Sequence, residues 1–159
     1  MTTIEMLQSA RDAWLREGQI PTMTKNRALI IMAERLVVNM DRILEANRLD
    51  LELAKDSIGE VMLDRLMLNR ERIIAMADGL RETALFDDPV GKEIKRTERP
   101  NGLVISRIRV PFGVIAVIYE SRPNVTSDAF AITFKSGNAC VLRCGKEAYN
   151  SSKAIVDAL

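Results

Sequence analysis

Hydrophobic positions follow two different spacings along the chain, and the first of them is that of a helix. In the first half, apolar residues recur at steps of three and four, which places them on one face of an α-helix. This spacing predicts an N-terminal helix, a long helix from Thr24 to Ser57, a short helix over 60–68 and a further helix that Asn69 caps. We therefore expect an N-terminal helical region over residues 1–91.

The second spacing begins at Lys92, where apolar and polar residues alternate as they do in β-strands. Pro100-Asn101-Gly102 lies between two extended runs and predicts a hairpin. The alternation is imperfect in the second run, which allows a bulge, and the remaining charges indicate a ribbon with one solvated face. An open ribbon edge is either guarded or pairs with another chain, and we expect residues 92–112 to associate subunits.

After Pro111 the pattern is that of an α/β unit. Residues 113–119 are continuously apolar, which is typical of a parallel strand that helices cover on both faces. Pro123 suits the first turn of a following helix, and Ser136-Gly137-Asn138 suits its C-terminal turn. A second apolar strand and another helix come next. This β-α-β-α order predicts the first part of a doubly wound nucleotide-binding sheet over residues 113–159.

A polar segment from Glu120 to Asn124 follows the first of these strands directly. It contains a carboxylate, a guanidinium and a carboxamide at a point where a surface hairpin would have turn residues. In open α/β sheets, ligands bind at the carboxyl ends of the strands. The sequence therefore predicts a ligand site at this end of the strand.

Composition and charge exclude several classes of protein. The chain has 159 residues, of which 47% are hydrophobic, enough for a substantial core. Its 23 Lys and Arg residues balance 22 Asp and Glu residues, so the charge does not predict a nucleic-acid or anionic-membrane partner. No apolar run approaches the length of a membrane span, and the N-terminus does not resemble a signal peptide.

The types of residue that are rare also limit the chemistry. The chain has no histidine, so neither a Ser-His-Asp nor a Cys-His mechanism can be completed within it, and we expect no metal site. Cys140 and Cys144 have the spacing C-x-x-x-C and are interpreted as small buried residues of a reduced cytoplasm. Gly145-Lys146 is not a phosphate loop, because the upstream glycine is missing and Glu147 follows the lysine.

Two uncommon strings, YESRPNV at Tyr119–Val125 and KSGNA at Lys135–Ala139, lie in a segment that resembles the γ-glutamyl phosphate reductases of the aldehyde dehydrogenase superfamily. The segments ANRLDLELAKD, LDRLMLNRERIIAMADGLRE and DPVGKEIKRTERPNGL resemble the same family in the same order. The resemblance implies an α/β fold of N-terminal helices and the start of a Rossmann-like sheet, with a protruding hairpin used in oligomerisation. Members of the family are more than twice as long.

The resemblance also implies an activity. Members of the family reduce L-glutamyl 5-phosphate with NADPH to L-glutamate 5-semialdehyde and phosphate, the second step of proline synthesis from glutamate. The implied partners are the small-molecule substrate, further copies of the chain through the hairpin, and glutamate 5-kinase as a functional partner. A cysteine thiolate attacks the acyl carbon in this superfamily, phosphate leaves, and hydride reduces the thioester.

One residue of the polar segment matches a position with a role in that reaction, and the guanidinium group of Arg122 makes that residue a second candidate. Asn124 matches the asparagine that donates a hydrogen bond to the oxyanion, although it could instead only cap the helix that follows. Arg122 could bind the phosphate or the carboxylate of the substrate, or it could pair with Glu120 to shape the loop.

The end of the second strand matches the position where the superfamily binds the adenosine ribose of the cofactor. Lys146 would neutralise a ribose 2′-phosphate, Glu147 could accept from a ribose hydroxyl, and Arg143 is a further candidate. Gly145 would allow close backbone approach, but Cys144 replaces a second glycine that is usual in the family. Lys146 and Glu147 could otherwise be a solvated pair in the first turn of a helix.

Neither cysteine matches the nucleophile of the family, which belongs to a catalytic domain that these residues do not contain. We therefore expect the chain to be the N-terminal part of such an enzyme and to be inactive alone. The alternative is a non-catalytic module, derived from the enzyme, that binds cofactor or associates subunits.

Overall fold

The computed structural model describes residues 2–17 and 20–159, in which seven α-helices and four strands follow one another. The helices are α1 (Thr3–Glu17), α2 (Thr22–Val38), α3 (Met40–Ala54), α4 (Glu60–Leu66), α5 (Arg70–Leu85), α6 (Asn124–Lys135) and α7 (Tyr149–Ala158). The strands are β1 (Glu93–Glu98), β2 (Val104–Ile108), β3 (Val114–Ile118) and β4 (Ala139–Arg143). No helix among the described residues is both long and apolar enough to cross a membrane.

The prediction of one long helix from Thr24 is wrong. The helix begins at Thr22 after Pro21 and ends at Val38, and α3 starts after the single residue Asn39. The backbone of Asn39 has ψ 12°, and its Nδ2 donates to the carbonyl oxygen of Arg35 at 2.8 Å. Asparagine bonds to nearby backbone groups and so competes with the helix. The apolar spacing continues across this break and therefore does not reveal it.

One hydrophobic core joins the N-terminal helices to the α/β segment. Its buried residues come from α2, α3 and α5 and also from α6 and α7, as Leu29, Ile43, Ile73, Ala131 and Ile155 illustrate. The predicted cap of α5 is confirmed, since Asn69 Oδ1 accepts from the backbone N–H of Arg72 at 2.7 Å. The three-part division at residues 91 and 112 stays a prediction.

Strands β1 and β2 form the predicted antiparallel hairpin. The register shifts between Glu93 and Lys95, so the bulge lies in the first strand and not in the second. The expected single solvated face is wrong, because every residue of both strands is exposed except the half-buried Thr97. No helix of the described residues covers either face of the hairpin, which explains why both remain open.

Strands β3 and β4 form a parallel pair connected by α6, so the predicted β-α-β unit is confirmed. Helices α1 and α6 both contact β4, and Trp14 Nε1 donates to the carbonyl oxygen of Gly137 at 3.0 Å. The expected cover on both faces is incomplete, because Ile118 at the end of β3 is 82% exposed. On α6, Ile132 is likewise 62% exposed.

Candidate functional site

The carboxyl ends of β3 and β4 lie side by side. Ile118 pairs with Arg143, and the backbone N–H of Tyr119 extends the ladder by donating to the carbonyl oxygen of Arg143 at 3.0 Å. The polar segment after β3 and the cofactor turn predicted after β4 therefore leave the same edge of the sheet. This is the edge at which α/β proteins bind ligands.

Asn124 is the first residue of α6 and is half-buried, beside the buried Pro123. Its side chain accepts no hydrogen bond from a backbone N–H of the first turn, so the interpretation of Asn124 as only a helix cap does not describe the structure. The amide Nδ2 instead donates to Asp128 Oδ2, one turn further along α6, at 3.3 Å. The carboxamide is thus held at the side of the helix start, and its role as an oxyanion donor stays a prediction.

Asn124 and Arg122 line one cleft of about 380 Å³ between α4, α5 and the start of α6. The residues around it are Asp64, Arg65, Met67, Leu68, Arg72, Ala75, Met76, Arg122, Asn124 and Asp128. The helical region therefore supplies most of the wall that faces the polar segment.

Three arginines give this cleft a positive character. Arg72 is engaged, since Nη1 donates to the carbonyl oxygen of Met67 at 2.6 Å and Nη2 pairs with Asp64 at 3.0 Å. Arg65 and Arg122 are exposed and make no ion pair or side-chain hydrogen bond with any residue the structure describes. The alternative pairing of Arg122 with Glu120 is therefore not observed. Two unpaired guanidinium groups on one cleft favour an anionic ligand.

Asp128 offsets this positive character only in part. The residue is exposed overall, but its carboxyl group faces α5, where a Cβ placed on Gly79 would be 3.6 Å from Oδ1. Desolvation of that carboxyl group raises the pKa of Asp128, while the hydrogen bond from Asn124 acts in the opposite direction. Asp128 is therefore more easily protonated than an ordinary aspartate.

The predicted cofactor turn is tied to the polar segment by one hydrogen bond. The hydroxyl of Ser121, which is buried, donates to Glu147 Oε1. This bond is the main reason that the pKa of Glu147 is lower than usual. A Cβ on Gly145 would collide only with the Glu147 carboxylate, the end of a flexible side chain, so a side chain at this position would displace that carboxylate.

Lys146 and Arg143 are exposed at this turn and form no ion pair within the described part of the chain. The alternative of a solvated Lys146–Glu147 pair fits Lys146 but not Glu147, which is half-buried and accepts from Ser121. Cys144 packs against a small apolar cluster, and burial raises the pKa of the Cys140 thiol. Among the described residues, no group of three or more His, Cys, Asp or Glu side chains could hold a metal ion.

Three residues of the site were not identified from the sequence. Asp128 could have been found, because it lies four positions after Asn124 and so shares its helix face. Ser121 belongs to the polar segment, but nothing in the sequence indicates its bond to Glu147. Arg65 is more than fifty positions before Arg122, and no spacing signals that the two line one cleft.

The helices, the exposed hairpin and the start of a parallel sheet define this chain as part of an aldehyde dehydrogenase-like α/β protein. It is 57% identical over 138 residues to the γ-glutamyl phosphate reductase of Streptococcus gordonii, covering 87% of this chain and 33% of that protein. The enzyme of the same name from Streptococcus pneumoniae is 56% identical over 135 residues. No protein-family model matches the chain.

Two solved structures bear the same name. The crystal structure from Thermotoga maritima matches with a TM-score of 0.94 and 44% identity over 98% of this chain and 38% of that one. The structure from Saccharomyces cerevisiae matches with a TM-score of 0.89 and 32% identity, covering 99% of this chain and 42% of that one. The chain therefore belongs to the γ-glutamyl phosphate reductase family, and it spans about a third of the length of the curated relatives it matches.

Proposed function

We propose that this chain is the N-terminal part of an enzyme that reduces L-glutamyl 5-phosphate to L-glutamate 5-semialdehyde and phosphate with NADPH. Within that enzyme it supplies the oxyanion donor, an anion-binding wall of the substrate cleft and the ribose end of the cofactor site. The observation that supports this best is the shared cleft, because Asn124 and the unpaired Arg122 both line it at the carboxyl edge of β3.

The chemistry assigns a different task to each part of the cleft. A cysteine thiolate from outside this chain attacks the acyl carbon, and the carbon–oxygen bond to phosphate breaks as phosphate leaves. The oxygen of the tetrahedral centre becomes negative, and Asn124 Nδ2 donates to it. One such donor stabilises the transition state by about 2.7–4 kcal/mol. The cofactor supplies the hydride that converts the resulting thioester to the aldehyde.

Arg122 and Arg65 would bind the anionic groups of the substrate. An acyl phosphate of glutamate has negative charge at both ends, on the phosphate and on the α-carboxylate. A planar guanidinium fork binds either group through two parallel hydrogen bonds. Because Arg72 is already paired with Asp64, the two exposed arginines are the cations of the cleft that remain available.

The turn after β4 fits the ribose end of NADPH. Lys146 and Arg143 are exposed cations that would face a 2′-phosphate. The lowered pKa of Glu147 keeps its carboxylate ionised, so that it can accept from a ribose hydroxyl while Ser121 holds its other contact. These features fit NADPH. Because the turn has no phosphate loop, the binding of NADPH there would depend on the side chains of Arg143, Lys146 and Glu147.

The hairpin would associate subunits. Its apolar residues are about half exposed, with Ile94 at 51% and Ile108 at 52%, and both edges of the two-stranded ribbon are open. A second copy of the chain is the proposed partner there, and glutamate 5-kinase is the proposed functional partner that supplies the substrate. Two free cysteines agree with a reduced cytoplasm as the location.

A non-catalytic module is the second candidate, and the cysteines favour it for the chain alone. Cys140 and Cys144 are half-buried, and the raised pKa of Cys140 disfavours its thiolate. The chain alone would then bind cofactor or associate through the hairpin without turnover.

A hybrid enzyme tests the proposal. This chain would replace the corresponding part of the Streptococcus gordonii enzyme, to which it is 57% identical, and the reverse reaction would be followed with glutamate 5-semialdehyde, phosphate and NADP⁺. We expect turnover by the hybrid and none by the chain alone. Asn124→Ala should lower kcat by about 10²–10³-fold. A folded hybrid without turnover, or an Asn124→Ala variant with unchanged kcat, would contradict the proposal.

Substrate and cofactor contacts are separated by three further variants of the hybrid. Arg65→Lys and Arg122→Lys should raise the KM for phosphate, because a lysine cannot form the bidentate contact, while the KM for NADP⁺ stays the same. Lys146→Ala should raise the KM for NADP⁺ and leave the KM for phosphate unchanged. The exposed Arg35, which lies on α2 outside the cleft, provides the control variant Arg35→Lys.

A further inference from the structure

The structure points to a second residue behind the oxyanion donor. We propose that Asp128 is a positioning residue, which orients the Asn124 carboxamide so that one N–H of Nδ2 bonds to Asp128 and the other faces the cleft. This inference rests on the proposed oxyanion role of Asn124. Asp128 itself would not touch the reacting atoms.

The argument begins with the two ends of a carboxamide. Its oxygen accepts hydrogen bonds and its nitrogen donates two, so only one orientation of Asn124 can stabilise an oxyanion. A carboxylate has acceptors alone, and Asp128 Oδ2 lies 3.3 Å from Nδ2. An ionised Asp128 therefore selects the orientation with the nitrogen on its side. The second N–H then remains for the cleft that both residues line.

Neighbouring groups hold both partners of this bond in place. The buried Ser127 donates to the carbonyl oxygen of Asn124 at 2.9 Å, which fixes the backbone of the first turn of α6. The Asp128 carboxyl group lies against α5, where a Cβ on Gly79 would meet Oδ1 at the ordinary contact distance of 3.6 Å. The hydrogen bond thus joins two side chains of α6, one at the first residue of the helix and one that lies against α5.

The simpler explanation is that an amide and a carboxylate four positions apart only add to helix stability. That explanation predicts no effect of Asp128 on turnover beyond a small change in stability. The positioning role predicts that catalysis depends on the charge of Asp128. When Asp128 is protonated it can donate to Asn124 Oδ1, and the carboxamide is no longer restricted to one orientation.

This difference gives a dependence on pH with a defined sign. Desolvation raises the pKa of Asp128. The other charged groups that line the cleft are Asp64, Arg65, Arg72 and Arg122. As the pH falls through the pKa of Asp128, the carboxylate is lost and kcat should fall with it. The kcat of an Asp128→Asn variant should be low at all pH values and should lack this acid limb.

The first experiment uses the 159-residue chain and nuclear magnetic resonance. The side-chain amide signals of Asn124 should shift with the titration of the Asp128 carboxyl group, and Asp128→Asn should abolish that shift. The control is Asp78→Asn, because Asp78 pairs with Arg81 on α5 and does not line the cleft. Asn124 signals that do not follow Asp128 would overturn the proposal, whether or not the hybrid enzyme is active.

The second experiment uses the hybrid enzyme. We expect Asp128→Asn to lower kcat by about tenfold or more, which is part of the effect of losing an oxyanion donor, with the KM for NADP⁺ unchanged. Asp128→Glu should restore part of the rate. If Asn124→Ala leaves kcat unchanged, the oxyanion role itself is refuted. If Asn124→Ala lowers kcat and Asp128→Asn does not, the positioning role alone is refuted.

Discussion

Removal of the Asp50 carboxylate should destabilise the protein, because it leaves buried hydrogen-bond donors of another helix without an acceptor. Asp50 is 2% exposed and accepts four hydrogen bonds from the start of α7. The donors are the backbone N–H and Nδ2 of Asn150, at 3.2 and 2.8 Å, and the backbone N–H and hydroxyl of Ser151, at 2.7 and 2.5 Å. Asp50 thus caps a helix that begins about a hundred residues later in the chain.

The loss of stability in an Asp50→Ala variant depends on which of the four donors water can reach. Asn150 is half-buried, so water can replace its two lost bonds, whereas Ser151 is fully buried. Two buried donors without partners cost about 1–3 kcal/mol each, so Asp50→Ala should lose about 2–6 kcal/mol. Asp50→Asn keeps one acceptor oxygen and should lose about half as much. A protein of this size loses about 2–4 °C of Tm per kcal/mol.

Urea denaturation of the 159-residue chain, followed by circular dichroism, measures this loss as a change in midpoint at constant slope. Asp56→Ala is the matched control, because Asp56 is an exposed aspartate just after α3, and a surface change of this kind stays within about 0.5 kcal/mol. A loss below about 1 kcal/mol for Asp50→Ala would refute the reasoning. It would mean that water enters the site or that α7 is stable without its cap.

Two further changes test other parts of the fold by the same measurement. Gly137→Ala should cost about 1–3 kcal/mol, because φ is +79° and the new Cβ would be 2.9 Å from Pro111 Cγ. Gly59→Ala is the control and should have little effect, since no atom lies within 4 Å of the new Cβ. An equal loss of stability in both variants would contradict this. Asp88→Asn should cost about 3–5 kcal/mol at neutral pH, because the buried Lys25 loses its counter-ion at 2.5 Å and keeps, among the described residues, only the carbonyl oxygen of Lys135 as an acceptor. Desolvation opposes ionisation of Asp88, but its hydrogen bonds hold the pKa of Asp88 lower than usual. The wild-type protein should therefore be more stable than Asp88→Asn above about pH 3.8, and this difference in stability should disappear as the pH falls further. A difference that does not depend on pH would refute the reasoning.

The order of elements could be predicted from the sequence because each depends on local chemistry. The cap at Asn69, the glycine turn at Gly137 and the hairpin turn at Pro100-Asn101-Gly102 are all set by residues a few positions apart. The edge that brings Arg122 and Asn124 together could also be predicted, since a polar segment after a buried strand indicates it.

The failures have a common physical origin in contacts that the local pattern does not contain. The break at Asn39 leaves the apolar spacing intact, so only the backbone reveals it. The exposure of Ile118 depends on which elements cover β3, and the pattern of its own residues cannot indicate that. Arg65 and Asp50 act on segments far away in sequence, and each could equally have been an ordinary charged residue on a helix.

These distant contacts also determine where the two candidate subsites lie. Ser121 connects the polar segment to Glu147, and Asp50 caps the start of α7, the helix that follows the predicted cofactor turn. A loss of the Asp50 carboxylate should therefore disturb the turn that contains Lys146 as well as the stability of the protein. The position of the predicted cofactor site thus depends on a helix that comes before the entire sheet. The N-terminal helices are accordingly a structural part of the site, and a chain with β3 and β4 alone would not hold the turn in this position.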